Sequence, residues 1–299
     1  MKQAVVSAPA ARLSVLSDFV ELTKPRIAVL ALCTVWVGAA LAGGGSADGL
    51  KILHVLAGMA FVAGGASALN HWLERGVDAR MERTRNRPLP AGRIAPAEAF
   101  AFGAILVVAG TAYLAATVGA PAAGLALAAA VAYAFVYTPL KRVTTLNTLV
   151  GAIPGAMPPL VGWAAVRGTV DPPAWLLFAI MFLWQFPHFL AIAWKFRDDY
   201  AAADLKMLPV VDGRPGATGR QALNYALALL PVSLLPAAWG MAGPLYFAGA
   251  MALGLGFLAS SARFAREETT ASATALLRAS IVYLPAVLVL LVIDGPGRF

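Results

Sequence analysis

The sequence contains few charged residues and almost no cysteine. Asp, Glu, Lys and Arg together make up 13% of the 299 residues, whereas hydrophobic types make up 60%. Soluble domains are usually about a quarter charged, so this composition excludes an ordinary soluble domain. The only cysteine, Cys33, lies in an apolar run, which excludes an internal disulfide or a thiolate metal cluster and indicates plain packing. No polar linker divides the chain, so we expect one domain over residues 1–299.

Long apolar runs occupy most of the sequence. A transmembrane helix needs about 20 mostly apolar residues, and nine runs approach or meet that length. We therefore predict an all-α, multi-pass membrane protein in which about nine helices form a bundle around a central cavity. The predicted spans are Ile27–Gly43, Ile52–Leu69, Ala97–Val118, Pro121–Tyr137, Leu149–Val166, Trp175–Trp194, Ala222–Trp239, Pro244–Ser260 and Leu276–Ile293.

The basic residues are unevenly divided between the two sides of this arrangement. With a cytoplasmic N-terminus, all of the 23 Lys and Arg residues except Lys51, Arg167 and Arg298 fall on the cytoplasmic side, as the positive-inside rule requires. We interpret the net charge of +8 as a topology signal, with anionic lipid headgroups of the bilayer as the default partners. A nucleic-acid partner is not expected. Residues 1–24 should form a cytoplasmic interfacial segment, with an amphipathic helix at Leu13–Thr23.

The first informative stretch follows the second predicted span. Asn70, Glu74 and Asp78 are spaced i, i+4, i+8, so they share one face if the helix continues beyond the apolar run. Carboxylate and amide oxygens suit Mg²⁺, which usually binds through one or two carboxylates and substrate phosphates. Arg83 and Arg87 follow directly and can clamp phosphate oxygens. The alternative is a solvated helix end whose mixed charges only set the topology.

A second charged stretch ends the sixth predicted span, where Arg197 precedes Asp198 and Asp199. Four spans separate it from the first stretch, so both should lie on the same membrane face. Two acidic clusters with neighbouring bases could bracket a diphosphate and its metal ions, and metal would favour cleavage of a carbon–oxygen bond by neutralising the leaving group. The alternative for Asp198 and Asp199 alone is surface charge at the start of a loop.

Histidines are rare in this chain, so each is informative. His188 lies inside the sixth predicted span beside Pro187, and an ionisable residue at such a depth is a functional candidate. The alternative is a hydrogen bond between packed helices. His71 lies beside the first acidic face and could belong to the site or to the membrane interface. His54 is near an outer helix end and is not expected to take part.

These residues carry a resemblance to a known family. The first stretch resembles the first motif of the UbiA-type intramembrane prenyltransferase superfamily, with Glu74 where that motif usually has Asp. The second stretch and a third block resemble the branch that farnesylates protoheme IX, because a Pro-His pair replaces the fuller acidic motif of the branches that prenylate phenolic rings. The residues that carry this likeness to the heme branch are Leu183–His188, Asp199–Ala203, Met207–Val211, Asn147–Gly151, Pro158–Pro159 and Gly162–Trp163.

The resemblance implies a reaction and a set of roles. Farnesyl diphosphate, protoheme IX (heme B) and water would give heme O and diphosphate in the bacterial cytoplasmic (inner) membrane, and a heme O-processing enzyme or terminal oxidase assembly would follow. His188, and also His71, would ligate heme iron or act as a base. The alternatives are a prenyltransferase acting on a quinone or phenolic precursor, and a transporter of an anionic solute. The implied Mg²⁺ ligands are Asn70, Glu74, Asp78, Asp198 and Asp199, and the implied diphosphate-binding residues are Arg83, Arg87, Lys141, Arg142 and Arg197.

Overall fold

The computed structural model of the protein describes residues 8–44 and 48–295, with side chains from residue 15 onward. Residues 1–7 of the predicted interfacial segment lie outside the described residues. Helices make up most of the described chain. They are α1 (Ala8–Leu22), α2 (Pro25–Ala42), α3 (Gly49–Asp78), α4 (Pro96–Thr117), α5 (Ala120–Val131), a π-helical segment (Ala132–Tyr137), α6 (Thr138–Leu140), α7 (Asn147–Ala156), α8 (Pro158–Arg167), α9 (Pro172–Lys195), α10 (Arg197–Ala202), α11 (Leu208–Val211), α12 (Ala217–Ala238), α13 (Pro244–Glu267) and α14 (Thr270–Asp294).

The predicted spans are confirmed. Within the described residues, nine helical segments are long and apolar enough to cross a membrane, and each overlaps one predicted run. Large apolar side chains also point outward: Ile105, Val108 and Val282 are each more than half exposed. Apolar side chains exposed in this way suit hydrocarbon rather than water. The protein is therefore a multi-pass integral membrane protein.

Two of the spans are not continuous α-helices. The segment Ala120–Leu140 contains the π-helical turn Ala132–Tyr137, a form of helix that often occurs at functional sites. The next span breaks at Met157, between α7 and α8. Pro158 and Pro159 explain that break, because proline cannot donate a helical hydrogen bond and its ring excludes the preceding turn.

The spans pack into two groups that share α2 and α8. One core consists mainly of α2, α8, α9, α12, α13 and α14, and the other of α2, α3, α4, α5 and α8. Helices α2 and α8 approach closely through glycine, since a Cβ at Gly38 would collide with the backbone of Pro159 and one at Gly162 with that of Val35. Small residues of this kind let membrane helices approach closely.

Helix α1 packs against the second group at its charged end. Leu22 is fully buried in a cluster with Ala68, Leu89 and Ile94, and Asp18 accepts a hydrogen bond from Nε of Arg93 at 2.9 Å. The segment just before the first span is thereby fixed to the loop between α3 and α4. This contact places Lys24 at the same end of the bundle as the first acidic face.

Candidate active site

Helix α3 continues past its apolar run and carries three oxygen-bearing side chains on one face. The apolar run ends at Leu69, but the helix extends to Asp78, so Asn70, Glu74 and Asp78 lie one above another as their spacing predicts. All three are buried, with 1%, 9% and 1% exposure. Since a buried polar or charged group is costly unless it is paired, each of them needs a partner.

Each of these three side chains is paired with a different cation. The Nζ of Lys24 donates to Oδ1 of Asn70 at 2.6 Å. The Nζ of Lys141 donates to Oε1 of Glu74 at 2.8 Å. Nη1 of the third cation, Arg87, donates to Oδ2 of Asp78 at 2.8 Å. The three cations come from the start of α2, the end of α6 and the loop after α3, so the fold gathers them from distant parts of the chain. We call these six residues the charged cluster.

The charged cluster affects its two lysines differently. Burial lowers the pKa of Lys24 to about 7, and the charges of Arg87 and Lys141 act in the same direction while Glu74 opposes them. Burial also disfavours the charge on Lys141, but the Glu74 carboxylate and Tyr137 outweigh it and raise the pKa of Lys141 well above its usual value. Lys141 therefore stays protonated at neutral pH, whereas Lys24 loses its proton more easily.

The oxygen atoms of α3 fit a divalent cation in their chemistry. Asp78 presents a second carboxylate oxygen, Oδ1, that is buried and has no hydrogen-bond partner in the described structure. Such an unpaired buried oxygen next to two further hard oxygen donors suits Mg²⁺. As folded, however, no group of three or more His, Cys, Asp or Glu side chains within the described ranges is arranged to hold one ion. A metal bound here would need substrate oxygens to complete its coordination.

The loop after α9 packs directly on the loop after α3. Val77 and Met81 form one cluster with Tyr200, Ala203 and Leu205. The guanidinium of Arg83 also lies 5.1 Å from the ring centroid of Phe196. The two charged stretches are thus neighbours at the same end of the bundle, as the even number of intervening spans predicts.

The acids of this second loop are placed differently from those of α3. The side chain of Asp198 is 94% exposed and lies 3.8 Å from Nε of Arg197, whose guanidinium stacks 4.9 Å from the Trp194 ring. Asp199 is half-buried, and its carboxylate has no partner among the residues that the structure describes. Both acids are therefore available to a ligand, whereas the α3 carboxylates are already paired with Lys141 and Arg87 and leave Oδ1 of Asp78 without a partner among the described residues.

A cavity of about 210 Å³ opens beside the charged cluster. Glu74, Thr138 and Arg142 line it together with Leu73, Val77, Pro139, Val143 and Leu205. Arg142 is exposed at this point. The cavity thus lies between a carboxylate of the first stretch, an arginine of the loop after α6 and the second loop. A phosphorylated group bound there would contact both an acidic and a basic side chain.

The two histidines of interest occupy different settings. His71 is 2% exposed, and neither ring nitrogen has a hydrogen-bond partner within the described residues. It precedes Glu74 by three residues and Asp78 by seven, so it lies on the side of α3 that carries the carboxylates. His188 is half-buried on α9, and its Nδ1 lies 2.7 Å from Oγ of Ser280 on α14.

The structure adds residues to the site that the sequence did not single out. Lys24 was interpreted only as one of the basic residues that set the topology. The Oγ1 of Thr138 accepts from Nδ2 of Asn70 at 2.9 Å, and Tyr133 Oη lies 3.4 Å from Nζ of Lys24. Nδ2 of Asn147 donates to the Lys206 carbonyl at 2.9 Å and ties the third block to the second loop. These contacts join residues far apart in the chain, and spacing alone could not reveal them.

Comparison with known proteins agrees with this fold. A family model described as "UbiA prenyltransferase family" matches residues 31–284, and the chain therefore belongs to the UbiA prenyltransferase family. It is a prenyltransferase, which excludes the transporter alternative. Within that family it belongs with proteins named "Protoheme IX farnesyltransferase": the one from Solibacter usitatus is 46% identical over 289 residues, covering 94% of this chain and 99% of that protein.

Solved structures show the same fold at low sequence identity. A structure titled for digeranylgeranylglyceryl phosphate synthase has a TM-score of 0.80 at 19% identity and covers 96% of this chain and 100% of its own. A UbiA homolog from Archaeoglobus fulgidus bound to GPP and Mg²⁺ has a TM-score of 0.65 at 17% identity, over 92% and 99% of the two chains. This chain therefore has the same fold as these two structures.

Proposed function

We propose that this protein transfers the farnesyl group of farnesyl diphosphate to a vinyl group of protoheme IX, with addition of water, to give heme O and diphosphate. The observation that carries the proposal is the 46% identity, over nearly all of both chains, to a protein named for this activity. The relatives' name specifies a heme acceptor, which does not fit the quinone or phenolic alternative. We place the reaction in the bacterial cytoplasmic membrane, with a heme O-processing enzyme or a terminal oxidase assembly as the recipient of the product.

The charged cluster would bind the diphosphate with its metal. We assign Asn70, Glu74 and Asp78, with Asp198 and Asp199 from the opposing loop, as ligands of Mg²⁺, a metal that one UbiA homolog holds together with a prenyl diphosphate. When bound, the ion would neutralise negative charge on the leaving diphosphate. The pairing of the α3 oxygens with cations supports this assignment. A metal ion that took over those oxygens would release the cations, which would then lie beside the phosphate oxygens.

Cationic side chains would hold the diphosphate oxygens directly. Lys141 and Arg87 form ion pairs with the α3 carboxylates, and Lys24, at the start of α2, donates to Asn70 beside them. Arg142 lines the adjoining cavity, and Arg83 and Arg197 flank the second loop. Guanidinium groups bind phosphate in bidentate fashion, so these side chains would orient the carbon–oxygen bond that breaks.

The apolar interior would protect the reactive group. Loss of diphosphate leaves an allylic farnesyl cation, which the helical bundle would shield from water until the heme vinyl carbon attacks it. The cation that then forms beside the porphyrin is captured by water, which supplies the hydroxyl group and loses a proton.

The reaction can be tested directly with purified protein. Protein in detergent is incubated with heme B, farnesyl diphosphate and Mg²⁺, and the extracted heme is analysed by mass spectrometry. A second reaction also contains 4-hydroxybenzoate, which competes with heme as the acceptor. We expect heme of the mass of heme O and no prenylated hydroxybenzoate. Prenylation of the phenolic acceptor with unmodified heme would refute the proposal and favour the phenolic alternative.

A further inference from the structure

The ring of His188 is held on two sides by Trp184 and Ser280. Its Nδ1 lies 2.7 Å from Oγ of Ser280 on α14. Its face stacks on the Trp184 indole, with ring centroids 4.8 Å apart and an angle of 25° between the rings. The indole Nε1 in turn donates to the backbone carbonyl of Ser280 at 2.9 Å. One fully buried serine therefore positions both the histidine and the aromatic ring that covers it.

The hydroxyl of Ser280 determines which nitrogen of His188 carries the proton. Its Oγ also lies 2.6 Å from the carbonyl oxygen of Leu277, and a carbonyl oxygen can only accept. A serine hydroxyl has one hydrogen, which the Leu277 carbonyl takes. Oγ must then accept from the histidine, so Nδ1 of neutral His188 is the protonated nitrogen and Nε2 holds the lone pair.

The lone pair on Nε2 is free for a ligand. The described structure gives Nε2 no hydrogen-bond partner, and His188 is only half-buried. His188 lies seven residues before the end of α9, which is about 10 Å along the helix axis. The free nitrogen is therefore deeper in the bundle than the charged loops, where a flat apolar substrate would lie below a diphosphate held at the helix ends.

We propose that Ser280 is a positioning residue that presents Nε2 of His188 to the iron of the heme substrate. The proposal rests on heme being the acceptor in the proposed function. A histidine that ligates a metal usually donates its other ring N–H to an oxygen, which fixes the tautomer and makes the ligating nitrogen more basic. The Ser280 bond has that form. Neutral Nε2 donates its lone pair to iron and no proton moves, so the proton-accepting role falls to another group.

The test measures heme coordination apart from farnesyl transfer. Detergent-purified wild type, Ser280→Ala, Ser280→Thr and His188→Ala are titrated with heme B without farnesyl diphosphate, and the absorption and electron paramagnetic resonance spectra are recorded. We expect Ser280→Ala to weaken heme binding about tenfold or more, the typical effect of losing the outer partner of a ligating histidine, and to change the iron spectrum. Ser280→Thr keeps a hydroxyl and should retain the wild-type spectrum. His188→Ala should lose the histidine-ligated spectrum and regain it on addition of imidazole.

A matched variant separates positioning from packing. Ser261 is also fully buried and donates to a carbonyl of its own helix, that of Phe257 at 2.9 Å, with no histidine attached, so Ser261→Ala should bind heme as wild type does. The proposal is overturned if Ser280→Ala matches wild type in affinity and spectrum, if Ser261→Ala loses heme to the same extent, or if His188→Ala keeps the wild-type spectrum. Farnesyl transfer by wild type is assayed in parallel, so that failure of the proposed function is seen separately.

Discussion

At the scale of single residues, the two acidic stretches differ in how the protein treats their charge. Glu74 and Asp78 are buried and each pairs with a cation, because an isolated buried carboxylate is very costly. Asp198 and Asp199 lie in the first turn of the short helix α10, where water can solvate them. Removing charge therefore tests function cleanly in the second loop, whereas in α3 it also tests stability.

We expect Asp199→Asn to reduce farnesyl transfer about a hundredfold or more while leaving the protein folded. Stabilisation of a leaving group by metal is worth several kcal/mol, and each ~1.4 kcal/mol changes the rate tenfold. Asp199 has no side-chain partner in the described structure to lose. The measurement is heme O formed per minute at equal protein, with Asp204→Asn as control, since Asp204 is exposed and its positive φ suits asparagine. Near-normal turnover of Asp199→Asn would mean that this acid is only surface charge.

Asp78→Asn should abolish activity and also lower stability. Asparagine keeps the size of the side chain but leaves Arg87 without its carboxylate, and breaking a buried ion pair costs ~3–5 kcal/mol. Glu74→Asp is the companion variant, which restores the commoner family residue and should keep activity within about tenfold. Thermal unfolding in detergent and the heme O assay measure the two effects. Full activity of Asp78→Asn, or complete loss in a folded Glu74→Asp, would contradict the assigned roles.

The sequence predicted the residues of α3 better than their partners. Asn70, Glu74 and Asp78 share a face because helical periodicity alone brings them together. The pairing of Asn70 with Lys24 joins residues 46 positions apart, and that of Glu74 with Lys141 joins residues 67 positions apart. Such pairs depend on how separate helices pack, which no local pattern encodes.

At the scale of helices, the π-helical turn orients the residues that support the oxygen face. Tyr133 and Tyr137 project from this turn and stack with centroids 5.8 Å apart, and the Nζ of Lys141 lies 4.6 Å from the Tyr137 ring centroid. Thr138 ends the turn by donating to the Tyr133 carbonyl at 2.9 Å. The turn thus fixes both Lys141 and the hydrogen bond that holds Asn70.

Thr138→Val should uncouple this turn from α3. Valine has the shape of threonine without the hydroxyl, so Nδ2 of Asn70 loses its partner, while the Tyr133 carbonyl keeps its bond from the backbone N–H of residue 138. An unsatisfied buried polar group costs ~1–3 kcal/mol, and we expect a lower unfolding temperature and a several-fold loss of turnover. Thr274→Val, which removes a hydroxyl bonded to its own helix, is the control. Equal small effects of both variants would show that the Thr138 bonds do not support the site.

The helices themselves were largely predictable, and their irregularities were not. Apolar length predicted every span, because hydrocarbon thickness sets a minimum run of apolar residues. The extension of α3 to Asp78 followed from spacing once the carboxylates were assigned to one face. The π-helical turn had no signal in the sequence, since a helical turn with one extra residue has no characteristic amino-acid composition. The break at Met157 was indicated only by the two prolines that follow this residue.

At the scale of the whole molecule, the charged loops lie at one end of the bundle, and we expect that end to face the cytoplasm. Reporter fusions after Pro90, Arg142, Asp212 and Glu268 should then be active on the cytoplasmic side, and fusions after Gly168 and Gly240 on the opposite side. The physical reason is the retention of Lys and Arg on the cytoplasmic face. Paired reporters, one active only in the cytoplasm and one only outside it, give the measurement. Opposite signals from the Pro90 and Asp212 fusions would separate the two acidic loops and remove the basis of a shared site.

Metal removal should stop catalysis without unfolding the bundle. The oxygens of α3 are paired with Lys24, Arg87 and Lys141, and the cores are apolar, so we expect that the fold does not depend on a divalent ion. A chelator in excess should therefore eliminate heme O formation but shift the unfolding temperature by at most a few degrees, and added Mg²⁺ should restore turnover. The same cations explain the reversibility, because they return to the carboxylates when the ion leaves. Undiminished turnover in excess chelator would contradict a metal-bound diphosphate, and collapse of the protein under the same conditions would mean that the ion, rather than the three cations, holds the site together.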